Sequence, residues 1–460
     1  MATLEDLQFA AHLLRRTSFH LSRTRVQTLA EVAAGGRETL ITRLVDQARA
    51  PKLAANPGLR NRVDKSHYPD FLRLLKAEVR RLNQPQSGLG DRMLWFWHGF
   101  LTTGMSKVGL PGLLWRQHRL LAKHALGNYR QLLIDLTLDP AMLFYLDGNG
   151  SQASQDSIPN ENYARELMEL FSLGRVDADG RANYTQADVT AGAAALAGWG
   201  VGRLPRRGSY NPYRAATIFR SEAALTGSVD FLGATLNFDS ISTGSERVRA
   251  VVDQVLSRPA AATNIVRKLF TYFVHSDPAP ETLASLAATF RDHDFEVMPV
   301  LKQLFRLPDF SAPQALTGRA RLPLEWLLAM LSCTGFSIGA EHYPEYFYAA
   351  GQVPFDPPNV AGWTVGDRWL LVTQALARTR AASVAFGVSK RNRLLQSIAA
   401  DADPVAETLE SLLLYDVSEQ TKTQIGAMLA SQDAVAFDER LGPARAALAL
   451  ALSSPEFALT

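Results

Sequence analysis

Apolar residues recur at helical spacing along most of the chain. In the first stretch they occupy positions 4, 7, 10, 11, 13 and 14, which form one face of a helix from Leu4 to Arg16. Gly127 and Gly174 directly follow two later stretches, and glycine is common just past a helix C-terminus. The pattern predicts a mainly α fold, a large multi-helix bundle-like body. The region 369–452 is predicted to be helical throughout. Further helices are predicted at about 36–48, 68–82, 92–101, 113–126, 129–137, 160–173, 185–198, 246–273, 279–291, 298–305 and 322–332.

One part of the chain lacks this periodicity. Between about 200 and 245, Gly, Pro, Ser and Asn are frequent, and only 216–219 and 229–231 are strand candidates. We therefore predict an irregular or small β insertion near 200–245. The chain as a whole is predicted to form one helical domain over 1–460. A possible subdivision has N-terminal helices (1–83), a motif-bearing helical core (91–200), the insertion (201–245) and a C-terminal helical region (246–460).

Composition and charge exclude several classes of protein. The chain has 460 residues, of which 47% are hydrophobic and 20% charged, as in ordinary globular proteins. The net charge is only +3 and no run of five basic residues occurs, so no nucleic-acid partner is predicted. No stretch approaches 18 uninterrupted apolar residues, so no membrane span is predicted. The first residues, Met1 to Asp6, are acidic where a signal peptide would be basic; this predicts a cytoplasmic location, although a trimmed precursor of an exported protein would look the same.

Standard motifs for metal binding and nucleophilic catalysis do not occur in the sequence. It contains no His-Glu-x-x-His, no Glu-x-x-His of the kind found in dimetal bundles, no Gly-x-Ser-x-Gly and no Walker A loop. The single cysteine, Cys333, follows an apolar run and is predicted to be a small buried side chain rather than a nucleophile. Candidate chemistry therefore has to come from individual residues.

The predicted helix from Asn160 to Phe171 is the best candidate. Its polar face carries Glu161, Arg165, Glu166 and Glu169. In one interpretation Glu161, Arg165 and Glu169 form an i,i+4 ladder on a surface helix, worth about 0.2–0.5 kcal/mol per pair. In the other, the face lines a cleft where its carboxylates bind a hard cation or share a proton.

Two histidines and one loop also allow a structural and a functional interpretation. His98 lies on an apolar helix face, which favours a buried structural role, and His124 lies at a helix C-terminus, where the helix dipole favours an imidazolium. The segment 353–363 is rich in proline and aromatic residues. It is interpreted as either a packed structural loop or a rigid lid.

Several segments of the chain form a recognisable set of motifs: 10–16, Trp97-His98-Gly99-Phe100, 124–129, 139–143, 159–174, 184–189 with Gly198-Trp199, and 355–363. In these segments the sequence resembles the bacterial family numbered 1800 among domains of unknown function. The resemblance implies no particular activity. It does draw attention to His98, His124, Asn160, Glu161, Arg165 and Glu166, which lie in its recurring motifs. In two respects the chain departs from the family: it shows no signal peptide, and the segment Ser221 to Gly233 lacks the His-Asp pair often found there.

Two functional hypotheses follow. In the first, the protein is a metal-dependent or acid–base enzyme, in which Glu161 and Glu166 are ligands or acid–base groups and Arg165 orients an anionic substrate. His98 or His124 would supply a base. Asn160 and Trp97 are candidate substrate-binding residues, and a divalent metal is a candidate cofactor. In the second hypothesis the protein is a non-catalytic binding or assembly module that works with a small molecule or a partner protein.

Overall fold

The protein is built almost entirely from α-helices. Its computed structural model describes residues 2–60, 67–153, 157–202, 215–241, 243–364, 366–388, 392–431 and 441–460. None of the helices in these residues is long and apolar enough to cross a membrane. The predicted mainly α class is confirmed. The helices are α1 (Leu4–Thr17), α2 (Arg23–Ala33), α3 (Arg37–Asp46), α4 (Tyr68–Leu82), α5 (Leu89–Phe100), α6 (Met105–Val108), α7 (Pro111–Lys123), α8 (Tyr129–Thr137), α9 (Pro140–Tyr145), α10 (Asn162–Glu169), α11 (Gln186–Ala195), α12 (Gly244–Leu256), α13 (Pro259–Phe273), α14 (Pro280–Asp292), α15 (Val297–Leu304), α16 (Pro313–Thr317), α17 (Pro323–Thr334), α18 (Tyr343–Ala350), α19 (Val372–Val388), α20 (Arg393–Ala400), α21 (Pro404–Ser411), α22 (Glu419–Ala430), α23 (Gly442–Ser453) and α24 (Pro455–Ala458).

The predicted β insertion is confirmed as two small antiparallel hairpins. Strand β1 (Trp199–Gly202) pairs with β2 (Ala216–Phe219), and Trp199 lies opposite Phe219. Strand β3 (Ser228–Phe231) pairs with β4 (Ala234–Asn237), and Phe231 lies opposite Ala234. Residues 203–214 and 242 of the predicted insertion lie outside the described residues. Because it contains only two separate pairs of four-residue strands within the described residues, this region is a small insertion in the helical body rather than a sheet domain.

The helix that carries the motif Trp97-His98-Gly99-Phe100 begins earlier than the sequence predicts. We expected Asp91 to be the N-cap of a helix starting at Arg92, whereas α5 starts at Leu89 and its N-cap is Gly88. Glycine has no side chain with which to cap, and the Asp91 carboxylate reaches back from the first turn to accept the Gly88 N–H at 3.1 Å. The carboxylate therefore stabilises the helix start from inside the helix.

Other helical predictions were too long, among them the helix expected over 246–273, which is divided into α12 and α13. The helix expected over 160–173 is α10, which spans only Asn162–Glu169. The region expected to be helical throughout from 369 to 452 is divided into α19 to α23, with residues 389–391 and 432–440 outside the described part. Within it, Asn392, Asp403 and Ser418 each accept a backbone N–H with their side chains at a helix start. Such caps begin new helices and interrupt what the apolar pattern presents as one.

Helix α5 lies at the centre of the protein. Its Met93, Leu94 and Trp97 side chains are fully buried, and it packs against α1 and α7. Its C-terminal half and Thr102, just after it, also hold the segment 352–363, which follows much later in the sequence. This contact between α5 and a distant loop positions the candidate site.

Candidate ligand-binding pocket

The segment 352–363, which we call the 352–363 loop, is held tightly against α5. The His98 imidazole Nε2 accepts the Phe355 N–H at 3.2 Å, and the hydroxyl of Thr102 donates to the Val360 carbonyl at 2.6 Å. Gly362 has a φ of +79°, and a Cβ built on it would lie 2.1 Å from the carbonyl oxygen of Gly99. Only glycine allows this approach. The two stretches that resemble family motifs therefore meet in space.

A pocket opens beside this contact, between α5, α13, the start of α17 and the 352–363 loop. Its volume is about 280 Å³. Six aromatic side chains line it, which gives a ligand a large apolar contact area. We call it the Trp363 pocket and define it by Phe19, Trp95, Phe96, Phe100, Tyr272 and Trp363.

The polar groups left free in the Trp363 pocket are mainly hydrogen-bond donors. The Lys268 ammonium has no ion pair or hydrogen bond within the described residues; it lies 5.2 Å from the centre of the Phe100 ring. Burial lowers the pKa of Lys268. The indole N–H of Trp363 is buried and likewise has no hydrogen-bond partner there. An anionic ligand would give the Lys268 ammonium a partner, whereas the Trp363 N–H is too deeply buried to reach a ligand in the pocket.

The carboxylate that lines the pocket is already fully engaged. Glu325 forms ion pairs with Arg92 and with Arg319, the latter at 2.8 Å, and it accepts the Leu322 N–H at 3.0 Å. Burial alone would raise its pKa, but Arg319 and Arg92 lower the pKa of Glu325 to about 2. Glu325 therefore stays ionised and is a poor proton acceptor, so it does not act as a general base.

His98, one of the predicted bases, lies beneath the pocket rather than in it. Its ring packs 4.7 Å from that of Trp95 and 5.2 Å from that of His118, centre to centre. Burial lowers the pKa of His98 well below its usual value, so the imidazole is neutral. His98 accepts a hydrogen bond from the loop and positions it.

Glu78 and His118 were missed by the sequence analysis. The Nε2 of His118 lies 3.1 Å from a Glu78 carboxylate oxygen, which also accepts the Trp95 indole N–H at 3.0 Å. Burial alone would raise the pKa of Glu78, but Arg81 and His118 lower it well below the usual range. The sequence does contain a signal for a buried role of Glu78. This residue lies on the apolar face of α4 with Leu75 and Leu82, where an ionisable side chain needs buried partners.

The other predicted residues around α5 and α7 lie apart from the pocket lining. The Trp97 side chain is fully buried, stacks 5.2 Å from the Tyr129 ring and donates its N–H to the Ala125 carbonyl at 3.1 Å. His124, at the end of α7, places Nε2 2.8 Å from the Asp135 carboxylate. These contacts give Trp97 and His124 structural partners of their own. Their proposed roles in binding and catalysis stay predictions.

The carboxylate-bearing helix α10 contacts α11. Glu161 forms an ion pair with Arg165 at 2.8 Å and accepts hydrogen bonds from Gln186, at 2.9 and 3.0 Å, and from Thr190, at 2.8 Å. The ladder interpretation thus holds for Glu161 and Arg165, and it extends to the next helix.

The remaining residues of the predicted site lie on the same helix or just before it. Asn160 is exposed and accepts the Asn162 N–H at 2.9 Å. Glu166 is half-buried, and its pKa is raised by burial and then by Glu169. No hydrogen bond or ion pair within the described residues joins this helix to His98 or His124. The described residues also contain no group of three or more His, Cys, Asp or Glu side chains that could hold a metal ion.

The fold and the pocket define the class of protein: a mainly α protein with a small β insertion and an aromatic pocket at the junction of a central helix and a distant loop. Comparison with known families identifies the family itself. The model of the family described as "Protein of unknown function (DUF1800)" matches residues 12–459, so the chain belongs to this family. Comparisons with curated proteins and with solved structures gave no significant match.

Proposed function

We propose that the protein binds a small organic anion with an aromatic-sized apolar body in the Trp363 pocket, and that it acts there as a binding module. The observation that supports this most is the Lys268 ammonium, which lies in an aromatic pocket without a counter-charge within the described residues. A partly buried, unpaired charge is costly, and a bound anion would remove that cost.

The rest of the pocket supports the same class of ligand. At about 280 Å³ the pocket is just below the usual range of about 300–1,000 Å³ for small-molecule sites, which favours a small molecule over a peptide. The aromatic walls suit a flat apolar body. Since Glu325 is engaged by two arginines, Lys268 has no acid–base partner in the pocket, which favours binding over catalysis.

The test compares two fluorescent probes of similar shape. 1-Anilinonaphthalene-8-sulfonate carries a negative charge, and N-phenyl-1-naphthylamine is its neutral counterpart. Both should bind the folded protein. Lys268→Met should lower the affinity for the sulfonate probe at least tenfold (~1.4 kcal/mol) and change the affinity for the neutral probe less than about twofold.

The control is Lys422→Met, which removes one exposed lysine that is not part of the pocket lining and forms an ion pair with Glu419. It should leave both affinities unchanged. Circular dichroism at each probe concentration checks that the protein stays folded. The proposal would be refuted if Lys268→Met lowered the affinity for both probes equally, or if neither probe bound the wild type.

The enzyme hypothesis rests on a different residue. The Glu166 side chain is half-buried and has no hydrogen bond within the described residues, and burial followed by Glu169 raises its pKa. A proton-transferring or metal-binding carboxylate would have these properties. The test is the metal content of the purified protein and of Glu166→Gln. A stoichiometric divalent metal in the wild type that is lost in the variant would support the hypothesis. Absence of metal from both, together with unchanged ligand binding in Glu166→Gln, would count against it.

A further inference from the structure

A second cavity opens on α13, next to the Trp363 pocket. It lies between the first half of α13 and the turn that follows Leu173, and its volume is about 670 Å³. Small-molecule sites usually have volumes of about 300–1,000 Å³, so a ligand or part of one fits here. We call this cavity the α13 cleft and define it by Asp177, Arg258, Pro259, Thr263, Asn264 and Arg267.

The α13 cleft and the Trp363 pocket share part of their walls. Asn264 and Arg267 line both cavities. The Asn264 side chain is held in place, because its amide donates to the Ser172 carbonyl at 2.8 Å. Its Oδ1 accepts no hydrogen bond within the described residues. The two cavities therefore adjoin at Asn264 and Arg267, and one molecule can extend from the pocket into the cleft.

One face of α13 runs along both cavities. Side chains four positions apart lie one above the other on a helix, and two such rows lie side by side here. The rows are positions 259, 263, 267 and 271 and positions 260, 264, 268 and 272, and each of these residues lines the cleft, the pocket or both. From 259 to 272 the rows span about 20 Å, at about 1.5 Å per residue. A ligand that follows this face is much longer than one that fills the pocket alone.

The α13 cleft carries mainly positive charge. Arg258 and Arg267 line it with exposed side chains, and neither side chain forms an ion pair or a hydrogen bond within the described residues. Asp177 is the acidic residue of the lining, and its carboxylate accepts two N–H groups of its own turn, both at 2.9 Å. Arg258 also influences the Asp188 carboxylate, but that group accepts two main-chain N–H groups, both at 2.8 Å. Both arginines therefore keep donors that a ligand can reach.

We propose that the ligand of the Trp363 pocket is an elongated dianion that also occupies the α13 cleft. This inference rests on the function proposed above and extends it. The apolar body and a first anionic group lie in the pocket at Lys268. A second anionic group, a carboxylate or a phosphate, lies in the cleft between Arg258 and Arg267.

The chemistry of the two ends differs. The Lys268 ammonium is a point charge beside aromatic rings, which suits an anionic group attached directly to the apolar body. A guanidinium offers several N–H donors in one plane and can bind two oxygens of a carboxylate or phosphate at once. Lys268 and Arg258 are about 15 Å apart along the helix axis, so a linker has to separate the two anionic groups.

The experiment uses the whole purified chain and two fluorescent probes that differ in one group. Both have the same head, 5-(2-aminoethylamino)naphthalene-1-sulfonate, acylated at its terminal amine. The dianionic probe has a succinyl tail that ends in a carboxylate. The monoanionic probe has the succinamoyl tail, which has nearly the same shape and ends in a neutral amide. Affinities are measured by fluorescence anisotropy at constant pH and ionic strength.

We expect the wild type to bind the dianionic probe at least about fivefold more tightly than the monoanionic probe. Arg258 lines the cleft but not the Trp363 pocket. Arg258→Gln should therefore reduce this preference to less than about twofold and leave the affinity for the monoanionic probe unchanged. Equal affinity of the wild type for the two probes would overturn the proposal, and this comparison does not depend on any variant.

Lys268→Met separates this inference from the proposed function. It should lower the affinity for both probes at least about tenfold and keep the ratio between them. If the wild type binds both probes equally and Lys268→Met lowers both affinities, the Trp363 pocket still binds an anion and only the extension into the cleft is wrong. If Lys268→Met leaves both affinities unchanged, the proposed function is wrong, and the extension that rests on it is wrong too.

Arg249→Gln is the matched control for Arg258→Gln. Arg249 is an exposed arginine of α12 that forms no ion pair within the described residues and lines neither cavity. Its replacement removes the same charge from the neighbouring helix and should leave both affinities unchanged. If Arg249→Gln reduced the preference for the dianionic probe as much as Arg258→Gln, the preference would reflect net charge, and the cleft site would be rejected.

Discussion

Replacing Gly362 by alanine should loosen the contact between α5 and the 352–363 loop. A Cβ at this position would lie 2.1 Å from the Gly99 carbonyl oxygen and 3.0 Å from the Thr102 side chain. The obstacle is helix backbone, so the loop has to move, by about 1 Å, to reach normal contact. The backbone of Gly362 also has a φ of +79°, which L-residues rarely adopt.

The expected loss of stability has three sources. The left-handed backbone costs about 1–2 kcal/mol for a residue with a Cβ. Relief of the steric overlap costs about 1–3 kcal/mol. If the loop retreats, the 2.6 Å hydrogen bond from Thr102 to Val360 weakens, which adds about 0.5–1.5 kcal/mol. We therefore expect Gly362→Ala to lower the free energy of unfolding by about 2.5–6.5 kcal/mol, the sum of these contributions.

A second glycine isolates the steric contribution. Gly180 has nearly the same φ, +80°, but nothing lies within 4 Å of a Cβ built on it. Gly180→Ala should therefore cost only the backbone strain, about 1–2 kcal/mol. Urea denaturation followed by circular dichroism and tryptophan fluorescence gives both values. If the two variants differ by less than about 0.5 kcal/mol, the close approach to Gly99 does not determine stability.

Three further predictions concern other parts of the protein. Burial raises the pKa of Asp139 to about 6, above its value of 3.8 in the unfolded chain, so its contribution to stability is lost as pH rises through 6. Asp139→Asn should therefore raise stability at pH 8 by about 1–3 kcal/mol in thermal denaturation, and a loss there would contradict this. The pKa of Glu325 is lowered to about 2, from 4.5, so its contribution is present above pH 4.5 and is lost as pH falls towards 2. Glu325→Gln should cost about 3–5 kcal/mol at pH 7 and flatten the Tm profile between pH 5 and 3; an unchanged slope would contradict it. Thr185→Ala removes the cap of α11, in which Thr185 accepts the Asp188 N–H at 3.2 Å, and should cost about 1 kcal/mol. Asp188 also accepts the Leu232 N–H at 2.8 Å, so hydrogen exchange in 228–237 should speed up in Asp188→Ala but not in Thr185→Ala.

Part of the candidate site could be predicted from the sequence. The apolar pattern placed His98 on a buried helix face, and that is where it lies. The packed-loop interpretation of 353–363 agrees with the hydrogen bonds that hold the loop to α5. The ion pair between Glu161 and Arg165 follows from their i,i+4 spacing. Each of these concerns residues that are close in sequence or a single residue's surroundings.

The pocket itself was not predicted. Nothing in the sequence distinguishes Lys268, because one lysine in an amphipathic helix is usually solvated. Arg16 and Glu78 lie on apolar helix faces, and this was the available signal that the core contains charge. Periodicity shows that such a residue is buried but does not identify the group that pairs with it.

The sequence by itself determined the class of fold, the approximate course of the helices and the location of the β insertion. These features depend on local spacing, which can be read from residues only a few positions apart. Only the tertiary structure decided that α5 meets the 352–363 loop, that Lys268 lies beside Phe100 and that Arg92 pairs with Glu325. These contacts join residues that are far apart in the chain. The apolar pattern specifies that a face is buried without specifying its partner, because hydrophobic burial has no direction.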